Sequence, residues 1–316
     1  MRSNTGRAHP PSPSATDLLS SGADLPERLG PGTVVSLLVV ATLTALCYPL
    51  LSVGLAHAPP LQFAALRAGI AGLALLVLAA ALRRPFPRER RVWLLVALSG
   101  LSSTAIGFSG MFGAAGLIAP GIATVVAGTQ PIMAALLALA MFGQPFGKWQ
   151  IIGMSVALAG IATMTLEDIA AGGTTAVAGS ALVIAATFGT AFGNAVTKRF
   201  AADADPFAAA ALQLLSGAVP LAVLAYLAEP WTPGVLEPGF LMIVAVLAIG
   251  GTAITQTLWI GVLGHCRLNT ANAFTFLAPL LGVAISVVFL GERLVPLGAF
   301  GMALTVGGIV LAARPG

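Results

Sequence analysis

The chain has 316 residues, 58% of them hydrophobic and only 8% charged, with a formal net charge of +4. Soluble domains carry about 25% charged residues, so this composition, with a mean hydropathy of +0.97, excludes an ordinary soluble domain and points to a chain built for lipid. The basic balance does not indicate nucleic acid, because Lys and Arg occupy short segments between apolar runs rather than one face.

Residues 1–31 are rich in Ser, Pro, Gly and charge, and read as a disordered tail. No apolar stretch follows the initial charges as a secretory signal requires, so the first hydrophobic run is expected to remain in the protein. A membrane-crossing helix needs about 20 apolar residues, because only a closed hydrogen-bond ladder is tolerated in hydrocarbon. Ten spans are predicted on that basis: 33–54, 59–82, 92–114, 119–142, 148–166, 177–197, 206–228, 239–262, 268–290 and 294–313. Their short connections imply one all-helical bundle.

Polar residues are unevenly spread along these spans. The first holds Tyr48 and Pro49, and the second a lone charge, Arg67. The third has Ser102, Ser103, Thr104 and Ser109 beside Gly107, Gly110, Gly113 and Gly116, and the fourth Thr124, Thr129, Gln130 and Pro131. Gly189, Gly193 and Asn194 follow in the sixth span and Gln213 and Pro220 in the seventh. Thr252, Thr255, Gln256, Thr257 and Trp259 lie in the eighth, and Asn269, Thr270, Asn272, Thr275 and Pro279 in the ninth. Buried amides seek partners in the bundle or in water, so spans three, four, eight and nine are expected to wall a hydrated path, joined by Tyr48, Asn194 and Gln213. Many of the Ser and Thr hydroxyls can instead bond their own helix backbone, which leaves Gln130, Asn194, Gln213, Gln256 and Asn272 as the stronger substrate-binding candidates. The glycines read first as close-packing positions. Arg67 is expensive in hydrocarbon and must meet either a substrate carboxylate or freed backbone carbonyls.

The chain also repeats itself. A shift of 148 positions lays Thr104-Ala105-Ile106 on Thr252-Ala253-Ile254, Pro131 on Pro279, Gly143 on Gly291, Gly153-Met154 on Gly301-Met302 and Gly160-Ile161 on Gly308-Ile309. Each copy holds five spans, and an odd number inverts whatever follows, so two inverted halves are expected, residues 32–168 and 169–316. Pro131 and Pro279 then bend equivalent helices as hinges, while aligning Pro60 with Pro206 sets Gln213 opposite Arg67, so the charge is not duplicated. The pairs Gly153/Ala157 and Gly301/Thr305 suit dimerisation or internal packing, with packing favoured; the expectation is a monomer or homodimer.

If both termini are cytoplasmic, every Lys and Arg except Arg293 and the intramembrane Arg67 falls on that side, so both termini are expected in the cytoplasm; the expected location is a bacterial inner (plasma) membrane. Cys47 and Cys266 have no partner at metal-ligand spacing, so no metal or other cofactor is expected. His9, His57 and His265 have no deep acid to work with, which argues against a membrane-embedded enzyme.

Ten spans in two halves, Arg67 in the second, Pro131 and Pro279 in the fourth and ninth, and the pairs Gly143-Gln144 and Gly291-Glu292 at the ends of those helices together resemble the EamA-type drug/metabolite transporter superfamily. Gln144 departs from the usual Glu of that pattern. The resemblance covers residues 33–313 and implies a central cavity between helices one to four and six to nine, with five and ten peripheral. It implies an exporter of small molecules, and the Thr, Asn, Gln and aromatic lining looks most like that of an amino-acid exporter. A phosphate clamp would gather several cations. The alternative is a drug or quaternary-cation exporter using Trp259, Tyr48 and Phe276 as an aromatic site.

Overall fold

A computed structural model describes residues 30–114, 117, 127–145, 147–164, 173–230, 232–275, 277–278, 281 and 296–312. All regular structure among them is helical: α1 (Pro31–Leu55), α2 (Pro60–Ala81), α3 (Arg90–Gly113), α4 (Gln130–Phe142), α5 (Lys148–Met164), α6 (Gly173–Lys198), α7 (Pro206–Ala228), α8 (Pro238–His265), α9 (Leu268–Thr275) and α10 (Pro296–Ala312). Proline opens α1, α2, α7 and α8, where its missing N–H costs no hydrogen bond and its fixed φ suits the first turn. A helix therefore stands at each predicted place, and five of them, α2, α3, α6, α7 and α8, are long and apolar enough to cross a membrane. Their outer faces carry large apolar side chains such as Val77, 68% exposed, and Leu227, 74% exposed, a surface that suits hydrocarbon and would be costly in water.

Two features escaped the sequence reading. Pro131, expected to kink the middle of a helix, sits in the first turn of α4 just after a turn at Gly128–Thr129, with Ala127 helical before it. The helical ladder is interrupted at that point, where Pro131 has no N–H to donate while Thr129 keeps a near-helical backbone. Secondly, α3 and α8 each contain a π-helical segment, Gly100–Ile106 and Ile249–Ile254, and the 148-residue shift carries one onto the other. In α8 the Thr252 and Thr255 hydroxyls donate to Leu247 O (3.1 Å) and Gly250 O (3.3 Å), five residues back, in step with the widened turn.

Helices related by the repeat pack against each other in opposite directions. Gly153 of α5 lies against Gly308 and Ala312 of α10, and Gly160 against Gly301 and Thr305; any Cβ at these positions would collide with backbone across the seam. Each contact has its repeat-related counterpart, and Ala157 meets Thr305 in the middle. α2 and α7 are likewise antiparallel. Glu229, after the end of α7, accepts from the first N–H groups of α2, Leu61 (2.8 Å) and Gln62 (2.9 Å), while Arg84, past the end of α2, pairs with Asp205, the N-cap of α7, at 3.7 Å. Between α3 and α6, Gly110 meets Leu182 O and Ala186, and Gly193 meets Ser103, so these glycines serve close helix approach.

Candidate functional site: a neutral cavity at a broken helix

A cavity of about 240 Å3 opens between α1, α3, α4, α6, α8 and α9. α5 and α10 contribute nothing to the described lining, and neither do α2 and α7, so the described wall uses fewer helices than the expected enclosure by helices one to four and six to nine. α1 presents the face Leu37, Val40, Ala41 and Thr44, at the i, i+3, i+4, i+7 spacing of one helical stripe. Thr190 and Asn194 stand one turn apart on α6, and Thr255, Gln256 and Trp259 follow directly from the π-segment of α8. The break before α4 supplies Ala127, Gly128, Gln130 and Pro131, and α9 supplies Phe274 and Thr275. Among the described residues, none that lines the cavity is charged, so the polarity they supply comes from amides, hydroxyls and an indole.

One bond orders this wall. The Trp259 indole Nε1–H donates to Asn194 Oδ1 at 3.0 Å, with both residues buried. An indole N–H can only donate, which assigns the amide and leaves the Asn194 Nδ2 hydrogens as the donor pair for the cavity.

Of the predicted binding residues, the structure thus brings Gln130, Asn194, Gln256 and Trp259 together, with the expected hinge Pro131 beside them. Asn272 is buried in α9 outside the lining, its Nδ2 donating to Leu268 O at 2.8 Å. Gln213 is fully buried on α7 and donates from Nε2 to Ser103 Oγ at 3.0 Å. Arg67 also stands apart from the cavity: Nε donates to Thr252 Oγ1 at 2.7 Å and Nη2 to Gly251 O at 3.2 Å, with the guanidinium 5.5 Å from the centre of the Phe108 ring. The side chain of Tyr48, together with Phe276, Pro279 and Gly291-Glu292, lies outside the described residues.

The expected contribution of α3 is smaller than its serines suggested. Ser102, Ser103 and Ser109 donate to carbonyls of their own helix, and only Met111 reaches the cavity. Thr44, Thr190 and Phe274 were missed. Thr190 was legible as the i−4 neighbour of Asn194; Thr44 sits on an otherwise apolar face that gave no polar signal. Among the described residues, no cluster of three or more His, Cys, Asp or Glu could hold a metal ion.

The sequence pattern of the EamA-like transporter family matches residues 32–166 and again 177–314. This chain belongs to the EamA-like transporter family. The family is one of transporters rather than enzymes, and the double match falls on two duplicated halves of a multi-pass membrane protein. Relatives of this EamA-like transporter include the uncharacterized transporter YvbV of Bacillus subtilis, 25% identical over 264 residues, covering 84% of this chain and 86% of the relative. Another, of Escherichia coli, is named a probable amino-acid metabolite efflux pump and is 25% identical over 288 residues, covering 88% of this chain and 93% of the relative. A crystal structure shares the fold with a TM-score of 0.71 at 21% identity, covering 89% of this chain and 96% of the solved one.

Proposed function

We propose that this protein exports amino acids or related small metabolites across a bacterial inner membrane by alternating access. Ten helices cross in two inverted halves, residues 32–168 and 169–316, which rock about the cavity. The antiparallel pairing of α2 with α7 and of α5 with α10 supports the inversion, because repeat-related helices in one membrane can run oppositely only if the halves are flipped. Sidedness follows from charge. Arg84 pairs with Asp205, Lys198 donates to Leu263 O at 2.7 Å and Arg199 stands over Phe142, which gathers cations at the end shared by α2, α4, α6 and α8. That end, with both termini, is cytoplasmic.

The observation that carries the substrate reading is the cavity itself, small, uncharged and floored by a broken helix. Drug-sized ligands occupy pockets of roughly 300–1,000 Å3, so about 240 Å3 favours a small solute. Side-chain amides both donate and accept, a combination that suits a zwitterion with two charged ends. The names of the two efflux-pump relatives, in Escherichia coli and Salmonella typhimurium, point the same way. Proteoliposomes loaded with neutral, acidic, basic or aromatic amino acids test it. Efflux of at least one class above protein-free vesicles is expected; efflux of none, with cationic dyes transported instead, contradicts it.

A further inference from the structure

Arg67 and Gln213 occupy matching places in the two halves, and each reaches across onto the π-helical segment of the other half. Arg67 on α2 grips α8 through Gly251 O and Thr252 Oγ1, and that hydroxyl in turn donates a hydrogen bond to Leu247 O, so one guanidinium fixes two successive residues of the segment. Gln213 on α7 makes the single neutral counterpart with Ser103 on α3. The fit at the first grip is close. A Cβ at Gly251 would collide with Cys47 Sγ of α1 and stand 3.4 Å from Arg67 Nη2.

A π-segment is a helix carrying one extra residue in a turn, and reverting it to α-geometry rotates everything beyond by about 100°, since 3.6 residues make a turn. Thr255, Gln256 and Trp259 lie immediately beyond the α8 segment. Whatever holds that segment therefore sets whether those side chains face the cavity.

On the alternating-access reading above, we propose that Arg67 is a positioning residue: it locks the π-turn of α8 and so holds Thr255, Gln256 and Trp259 on the cavity wall, with Gln213 as the weaker latch on α3. The unequal pair biases which face is open, because charge-assisted hydrogen bonds are roughly twice as strong as neutral ones.

The test uses full-length protein with Thr44→Cys as a cavity reporter and both native cysteines changed to Ser. An impermeant maleimide is applied to right-side-out and inside-out membrane vesicles. Arg67→Gln is expected to change the ratio of labelling from the two faces by about 5- to 10-fold. Thr252→Val, which removes the acceptor and leaves the charge, is expected to shift it in the same direction and guards against a folding defect of the first variant. Transport by Arg67→Gln should keep the wild-type preference for an amino acid over its α-amide. A ratio unchanged within about twofold in both variants, or loss of the acid-over-amide preference without a change in ratio, overturns the proposal. Labelling needs no substrate, so wild-type protein that transports no amino acid refutes the substrate reading while this readout stands.

Discussion

The α5–α10 seam and the cavity wall are built by the same repeat, yet they treat polar groups in opposite ways. Along the seam, Gly153, Gly160, Gly301 and Gly308 bring backbone onto backbone, and the one hydroxyl at its centre, Thr305, is satisfied within its own helix at Gly301 O, 2.9 Å away. Nothing is left over for a ligand. Around the cavity, Gln130, Asn194 and Gln256 carry amides with more hydrogen-bonding capacity than their neighbours use. In lipid no hydrophobic force holds helices together, so the seam relies on close packing. The cavity can then leave its polar groups underemployed.

Substitutions can break this contrast in order of expected effect. Gly308→Leu forces a side chain into the Gly153 and Ala157 backbone and is expected to cost about 3 kcal/mol or more, read as loss of a monodisperse species and a lowered melting temperature in detergent. If melting is unchanged, the seam is not the glue described. Asn194→Leu strands the Trp259 indole N–H and removes the cavity donor pair, so kcat/KM should fall about 10- to 100-fold in flux assays, beyond the loss of about 1–3 kcal/mol of stability that the stranded N–H causes in a thermal melt. Equal loss of folding and flux would move Asn194 from the site to the scaffold. Glu229→Ala removes the acceptor for two N–H groups at the start of α2 and should cost about 1 kcal/mol in a thermal melt. Smallest of all, Glu237→Gln breaks an exposed 3.2 Å pair with His57 and should shift stability by no more than about 0.3 kcal/mol.

Much of this contrast was legible in the sequence, for identifiable reasons. The helices follow from apolar length, and the seam from glycines that hold one register over 148 positions. Asn194, Gln256 and Trp259 stood out because amides and indoles are conspicuous in an apolar run. Arg67 was legible as a cost but not as a contact, since its acceptors are a backbone carbonyl at Gly251, which any residue would offer, and one Thr hydroxyl among many. The π-segments were hidden for a related reason. An i→i+5 ladder leaves no residue signature at Gly100–Ile106 or Ile249–Ile254. Pro131 was legible as an interruption of the fourth helix because it lacks an N–H, whereas the start of α4 at Gln130 was not, because the turn at Gly128–Thr129 has no comparable residue signal.

Inversion of the halves is the claim on which the transport cycle stands, and the loops after α2 and α7 expose it directly. They are repeat-related, and each bears an exposed residue, Arg88 and Glu237. Arg88→Cys and Glu237→Cys, each in protein lacking the native cysteines, should react with an impermeant maleimide from opposite faces of the membrane, the first from the cytoplasm and the second from outside. Labelling of both from the same face would mean the halves run in parallel and would contradict the account.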